Sequence, residues 1–151
     1  MARTLLYVLA GYALLISGYI WFLPQTFYDN TPGVAMMGPF SIHFMKDVSL
    51  AYLAGGLILA WAARTGDQRL GYAGAMWFSF HGLFHIWIWI HRGLPFDIIA
   101  ASDFVGVVTP AALGSIKVVK NPFLSRPSDT YPLPPPTSYI TPFGKTCFTA
   151  S

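Results

Sequence analysis

SIHFMKDVSLAYLAGGLILAWAA, from Ser41 to Ala63, is an almost continuous apolar run of 23 residues that nevertheless holds His43, Lys46 and Asp47. A helix of about 20 such residues crosses about 30 Å of hydrocarbon at about 1.5 Å per residue, so the run has the length of a membrane span. Its ionisable side chains are costly there, at least about 2.5 kcal/mol for an Asp at mid-bilayer, and such groups face protein, a cavity or an ion. Three more stretches share this length: Thr4 to Leu23, Leu70 to His91 and Ile98 to Val119. The expected fold is all-α: a polytopic membrane protein with four transmembrane helices in an antiparallel bundle over residues 1–120.

Composition agrees. Of the 151 residues, 54% are hydrophobic and only 10% charged, where a soluble domain carries about 25% charged residues. The net charge of +3 does not point to nucleic acid, because the basic residues sit at helix ends and no basic patch is interleaved with aromatics. The single cysteine, Cys147, excludes an intrachain disulfide and any multi-cysteine metal site. The first span is longer than a signal-peptide apolar region and lacks a small-residue cleavage site after it, so it is expected to be retained.

Orientation follows from the basic residues. Arg3, Arg64, Arg69, Lys117, Lys120, Arg126 and Lys145 flank one side of the four spans, and the loops of the other side carry only Lys46 and Arg92. Both termini are therefore expected in the cytoplasm of a bacterium, with the chain in the inner membrane. Tyr19, Trp21, Phe22, Phe27, Tyr28, Trp87 and Trp89 would form an aromatic belt at the outer interface. The loop from Pro24 to Phe40, punctuated by Pro32-Gly33 and Gly38-Pro39, is apolar enough to fold back over the outer mouth of the bundle. Its Met36 and Met37 read as packing groups before they read as copper ligands.

No internal repeat is visible, and the chain changes character near residue 120. Seven prolines from Pro122 to Pro142 remove backbone donors and favour extended geometry, so residues 121–151 are expected to form a proline-rich cytoplasmic arm. Tyr131, Pro132, Pro134, Pro135, Pro136, Tyr139 and Phe143 are its candidate partner-binding residues, laid along another subunit as a polyproline strap. A disordered end is the alternative.

The chemistry lies in the intramembrane polar residues. At 100° per residue His81 and His85 share a face with Ala75, Ser79 and Gly82, while Met76, Phe80, Leu83, Phe84 and Trp87 cover the other side. His43 and Asp47 lie on the side of Ala51, Ala54, Gly55 and Ala62, and Asp103 on that of Gly106, Pro110 and Gly114. Counting down from Ser41, His91 and Ile98 places Asp47, His85 and Asp103 at one level, roughly 8 to 9 Å below the outer surface, with His81 about 15 Å below. One polar cluster in the outer half of the bundle is expected. His81, His85, Asp47, Asp103 and His43 could bind a divalent transition metal, since imidazole with carboxylate suits Zn, Cu, Fe or Ni. The reading set ahead of that one is a hydrogen-bonded latch between helices, and the one behind it a proton relay. Haem is disfavoured, because only His43 and His91 approach a common depth and His91 turns toward lipid. The chain has no G-x-S-x-G, P-loop or H-E-x-x-H motif, and Gly55-Gly56 reads as a close-packing point. Pro110 should kink the fourth span or leave a carbonyl without its helical donor.

Phe22-Leu23-Pro24, Phe27-Tyr28, Pro32-Gly33, Gly38-Pro39-Phe40, His43-Phe44, Asp47, Tyr52-Leu53 and His81 to His85 together give the chain a resemblance to small four-helix bacterial inner-membrane proteins. The resemblance covers about residues 5–118, implies fold and location only, and transfers no catalytic residue. The expected role is that of an accessory subunit docking onto other membrane protein subunits through its helices and tail. The alternative is a metal-binding protein or enzyme built on the His/Asp cluster.

Overall fold

The computed structural model describes residues 2–119, and every element among them is helical. The partner-binding expectation for Tyr131, Pro132, Pro134, Pro135, Pro136, Tyr139 and Phe143 lies outside the described residues. Helix α1 spans Ala2–Phe22, the short α2 Pro24–Asn30, α3 Ile42–Thr65 and α4 Gln68–His91. The last span is one continuous rod in three pieces: α5 over Ile98–Asp103, a π-helical turn over Phe104–Val108, and α6 over Thr109–Val119. The sequence-derived spans match these limits to within about two residues, as expected when apolar length sets them.

The local signals explain the boundaries. Ser41, Asp67 and Asp97 each accept a hydrogen bond from a backbone N–H in the first turn of α3, α4 and α5, respectively from Phe44, Arg69 and Ala100. Pro24 occupies the first turn of α2, where its missing N–H costs nothing. Gly66 ends α3 in the left-handed region (φ 77°) with its N–H on the Ala62 carbonyl, so only Gly66 and Asp67 separate α3 from α4.

Among the described residues, three helices are long and apolar enough to cross a membrane: Arg3–Phe22, Ile42–Thr65 and Ile98–Ser115. Helix α4 has 24 residues, as many as α3, and carries Gln68, Arg69, His81, His85 and His91 along an otherwise largely apolar length. It nonetheless stands inside the assembly. α1 packs on α3, α3 on α4, α4 on α6 and the π turn, and α6 returns to meet α1 lightly.

Small residues let these helices approach. Gly56 faces Ala13 and Leu14 of α1, Gly55 faces Phe78 of α4, Gly74 sits against Leu59, and Gly82 against Ala111. The packed interior is Leu6, Leu9, Ala10, Ala13 and Ile20 of α1 with Leu59, Ala62 and Ala63 of α3 and Ala75 of α4. Leu15, Phe22, Phe44, Trp61, Phe80, Leu83 and Val105 point outward instead, an apolar exterior suited to lipid. Because lipid gives helices no hydrophobic reason to associate, polar ties between them carry extra weight. α1 and α3 are joined by a reciprocal clasp: Ser17 Oγ donates to the Ser49 carbonyl and Ser49 Oγ to the Ser17 carbonyl, each at 2.8 Å, with both side chains buried. Ser79 and Ser115 make the matching tie between α4 and α6, Oγ to Oγ at 2.7 Å.

The two ends of the α1/α3 pair are held by cations. Arg3 donates to the carbonyl of Arg64 at the end of α3, and Lys46 donates to the carbonyl of Trp21 at the end of α1 while lying over the Trp21 ring. Each cation thus sits on the negative end of its neighbour's helix dipole.

Candidate functional site

The polar residues resolve into two separate groups. On the inner face of α4, His85 Nδ1 stands 3.0 Å from Asp103 Oδ1, and both side chains are largely buried. The oxygen lies off the ring nitrogen's hydrogen-bond direction, so the contact is a close polar approach and not an aligned hydrogen bond. The His81 ring meets His85 edge-on at 4.7 Å, stacks on Trp77 at 5.1 Å, and meets the edge-on Tyr52 of α3 at 6.0 Å. A polar column of Trp77, His81, His85 and Asp103 therefore runs along α4, with the Trp77 indole N–H buried and without a hydrogen-bond partner.

His43 and Asp47 do not join it. They pair with each other one turn apart, Nε2 to Oδ2 at 3.5 Å, with 89% and 60% of their side chains exposed. This corrects the expected convergence of Asp47 with His85 and Asp103. Proximity to small residues misled the assignment of the face. The buried residues of α3 are Met45, Ser49, Tyr52, Gly55, Gly56, Leu59, Ala62 and Ala63, and at about 100° per residue Asp47 lies roughly 60° to 80° beyond Ala62 and Gly55, outside that sector. On α4 the same reasoning placed the face correctly: Ala75 and Gly82 are buried, and Met76, Phe80, Leu83, Phe84 and Trp87 are exposed. Among the described residues no group of three or more His, Cys, Asp or Glu is placed to hold a metal.

The position of Asp103 comes from an irregularity that Pro110 introduces. Proline has no N–H to give the carbonyl four residues before it, which is that of Gly106. Upstream the chain widens into the π turn, where the Thr109 N–H reaches the Phe104 carbonyl. The Tyr12 hydroxyl of α1 donates to the Gly106 carbonyl at 2.5 Å, replacing the missing backbone donor. Asp103 is the last residue before this widened turn, so the turn sets which way its carboxylate points. Tyr12→Phe should cost about 1–2 kcal/mol by leaving that carbonyl unpaired. Adding Pro110→Ala, which restores a backbone donor, should recover most of the loss in thermal unfolding of detergent-solubilised protein.

The outer loop takes part only at its edge. Gly33 (φ 89°) lies so close to Ile99 that a Cβ there would approach Ile99 Cγ2 to 2.7 Å, tying the first loop to the start of α5. Tyr28 donates to the Gly38 carbonyl and meets Phe40 edge-on. Met36 and Met37 point outward, 73% and 64% exposed, and do not pack over the cluster.

The serine ties, Tyr12 and Trp77 escaped sequence reasoning. Ser17 and Ser49 carried a usable signal, since each falls on the buried stripe of its helix. No protein-family profile, curated protein or solved structure matches the chain.

Proposed function

We propose that this protein is an accessory subunit of a larger complex in the bacterial inner membrane. In this reading all four long helical segments cross the bilayer as an antiparallel bundle, termini in the cytoplasm, and it docks through its helices and the residues beyond 120. The contacts between α3 and α4 suit that topology: Leu59 meets Gly74, Gly55 meets Phe78 and Tyr52 meets His81. The cation clamps suit the bilayer. Arg3 to Trp21 and Lys46 to Arg64 each cover about 27 Å of helix, close to the roughly 30 Å of hydrocarbon.

The observation that carries the docking role is the His43–Asp47 pair. It points away from the bundle at the outer edge of α3, beside Lys46, on a helix face that also exposes Phe44, Leu50 and Leu57, and a polar pair above an uncovered apolar face suits contact with another protein. A neighbouring subunit would satisfy it. Full-length protein extracted in mild detergent should run on a native gel as an assembly larger than one chain. A His43→Ala/Asp47→Ala variant should shift to smaller size with its thermal stability unchanged. A single-chain species in the wild type, or no shift in the variant, would sink the docking role.

The second reading, proton chemistry at the buried column, is favoured by the 3.0 Å approach of His85 to Asp103 and by the His81 ring beside them. His81 and His85 would supply the imidazoles and Asp103 the carboxylate. Proton uptake by vesicles holding the wild type, lost from His85→Ala, would reverse the order of the two readings.

A further inference from the structure

Beyond α4 the chain turns back through Arg92 to Asp97 and opens a groove of about 430 Å³ lined by Trp89, Phe96, Asp97, Ala100, Ala101 and Phe104. The groove is open to the outside, and Trp89 organises its inner wall. The Trp89 ring meets Phe104 edge-on at 5.1 Å and Phe96 at 5.9 Å, and its indole N–H donates to the Pro95 carbonyl at 2.9 Å. The turn that places Pro95 holds Gly93 (φ 82°) and Leu94 (φ 61°) in the left-handed region, an unfavourable conformation for leucine. Ala100 and Ala101 keep the floor open, and Phe96 projects from the rim with 95% exposure.

Asp97 is the charged residue among those lining the groove, and Arg92 stands next to it, Nη2 to Oδ2 at 2.5 Å, both partly exposed. The Ala100 N–H, and after it Arg92, hold the Asp97 carboxyl below the usual carboxylate range, so the negative charge persists at neutral pH. Along α4 the groove lies just beyond Trp87, which by the α3/α4 contacts stands level with Lys46 and the end of α1. It therefore opens at the height of the lipid headgroups.

We propose that this groove seats one phospholipid with a zwitterionic headgroup. The ammonium lies toward Asp97 and the ring faces of Trp89 and Phe96, the phosphate on Arg92, and an acyl chain along Ala101 and Phe104. Charge complementarity selects this occupant. A guanidinium matches phosphate, aromatic faces with a carboxylate attract an ammonium, and a rim that is neutral in sum offers no advantage to a net anionic lipid. The inference rests on the membrane reading of the fold.

The test uses full-length protein reconstituted into bilayer discs of equal phosphatidylethanolamine and phosphatidylglycerol, then released for native mass spectrometry. One phosphatidylethanolamine should stay with each chain, enriched about fivefold or more over phosphatidylglycerol, as about 1 kcal/mol of ammonium recognition gives. Ala101→Trp, which fills the groove from an exposed position, should remove it. Phe96→Ala, at the most exposed wall, should weaken retention without touching the fold. Equal retention of both lipids, no retained lipid, or unchanged retention in both variants would overturn the proposal. A chain that needs detergent for extraction yet keeps no lipid would sink the lipid seat and leave the membrane reading standing.

Discussion

His85→Leu should be the more damaging half of an unequal pair, destabilising the bundle by about 3 kcal/mol, whereas Asp103→Leu should cost about 1–2 kcal/mol. The asymmetry comes from what each substitution strands. Without His85, the Asp103 carboxyl group is left largely buried with its facing imidazole gone. Without Asp103, His85 loses a contact that is not an aligned hydrogen bond and keeps its edge-on contact with the His81 ring. The double Leu variant should return toward wild-type stability, since replacing both members of a buried pair by apolar groups is often neutral. Unfolding by heat or by anionic detergent titration, read in a double-mutant cycle, measures all three. Equal losses for the two single variants would mean that the pair does not hold α4 to the last span by charge.

A second large effect is expected at Gly74. A Cβ built there would stand 2.9 Å from the Leu59 backbone nitrogen and 3.0 Å from Leu59 Cγ, so valine must push α3 and α4 apart. Gly74→Val should reach the upper end of the about 1–3 kcal/mol that overpacking costs. Gly55→Ala is the informative contrast. Its new methyl group would meet the Phe78 ring at 2.7 Å, but an aromatic side chain can swing aside where a backbone cannot. It should therefore lose about 1 kcal/mol. Thermal unfolding of the two variants in the same detergent checks the order, and a milder loss for Gly74→Val would contradict the close helix approach.

Much of the fold is written in apolar length. Four runs near bilayer length give the four long helical segments almost residue for residue, because hydrophobic span and capping residues act locally. The face of α4 is also legible, since its large apolar residues fall on one side and its small ones on the other. Asp47 shows where that logic fails. Gly55 and Ala62, the small residues nearest its face, are buried, but Asp47 lies just past them, and only packing against α1 and α4 decides where the buried sector ends. The reciprocal serine bonds are hidden for a related reason: Ser17 and Ser49 are 32 positions apart, and only the crossing of two helices brings them together. The π turn was half visible. Pro110 announces a missing donor, but the Tyr12 hydroxyl that answers it comes from 94 residues upstream of Gly106.

The brevity of the Gly66–Asp67 link has a further consequence for how other molecules can approach. Among the described residues, one end of the molecule offers this two-residue bend with the start of α1 and the end of α6, while the opposite end carries α2, the segment to Ser41 and the Arg92–Asp97 turn. Recognition of the described fold is therefore lopsided: a binder has more shaped surface to grip at the end that carries α2 and the Arg92–Asp97 turn.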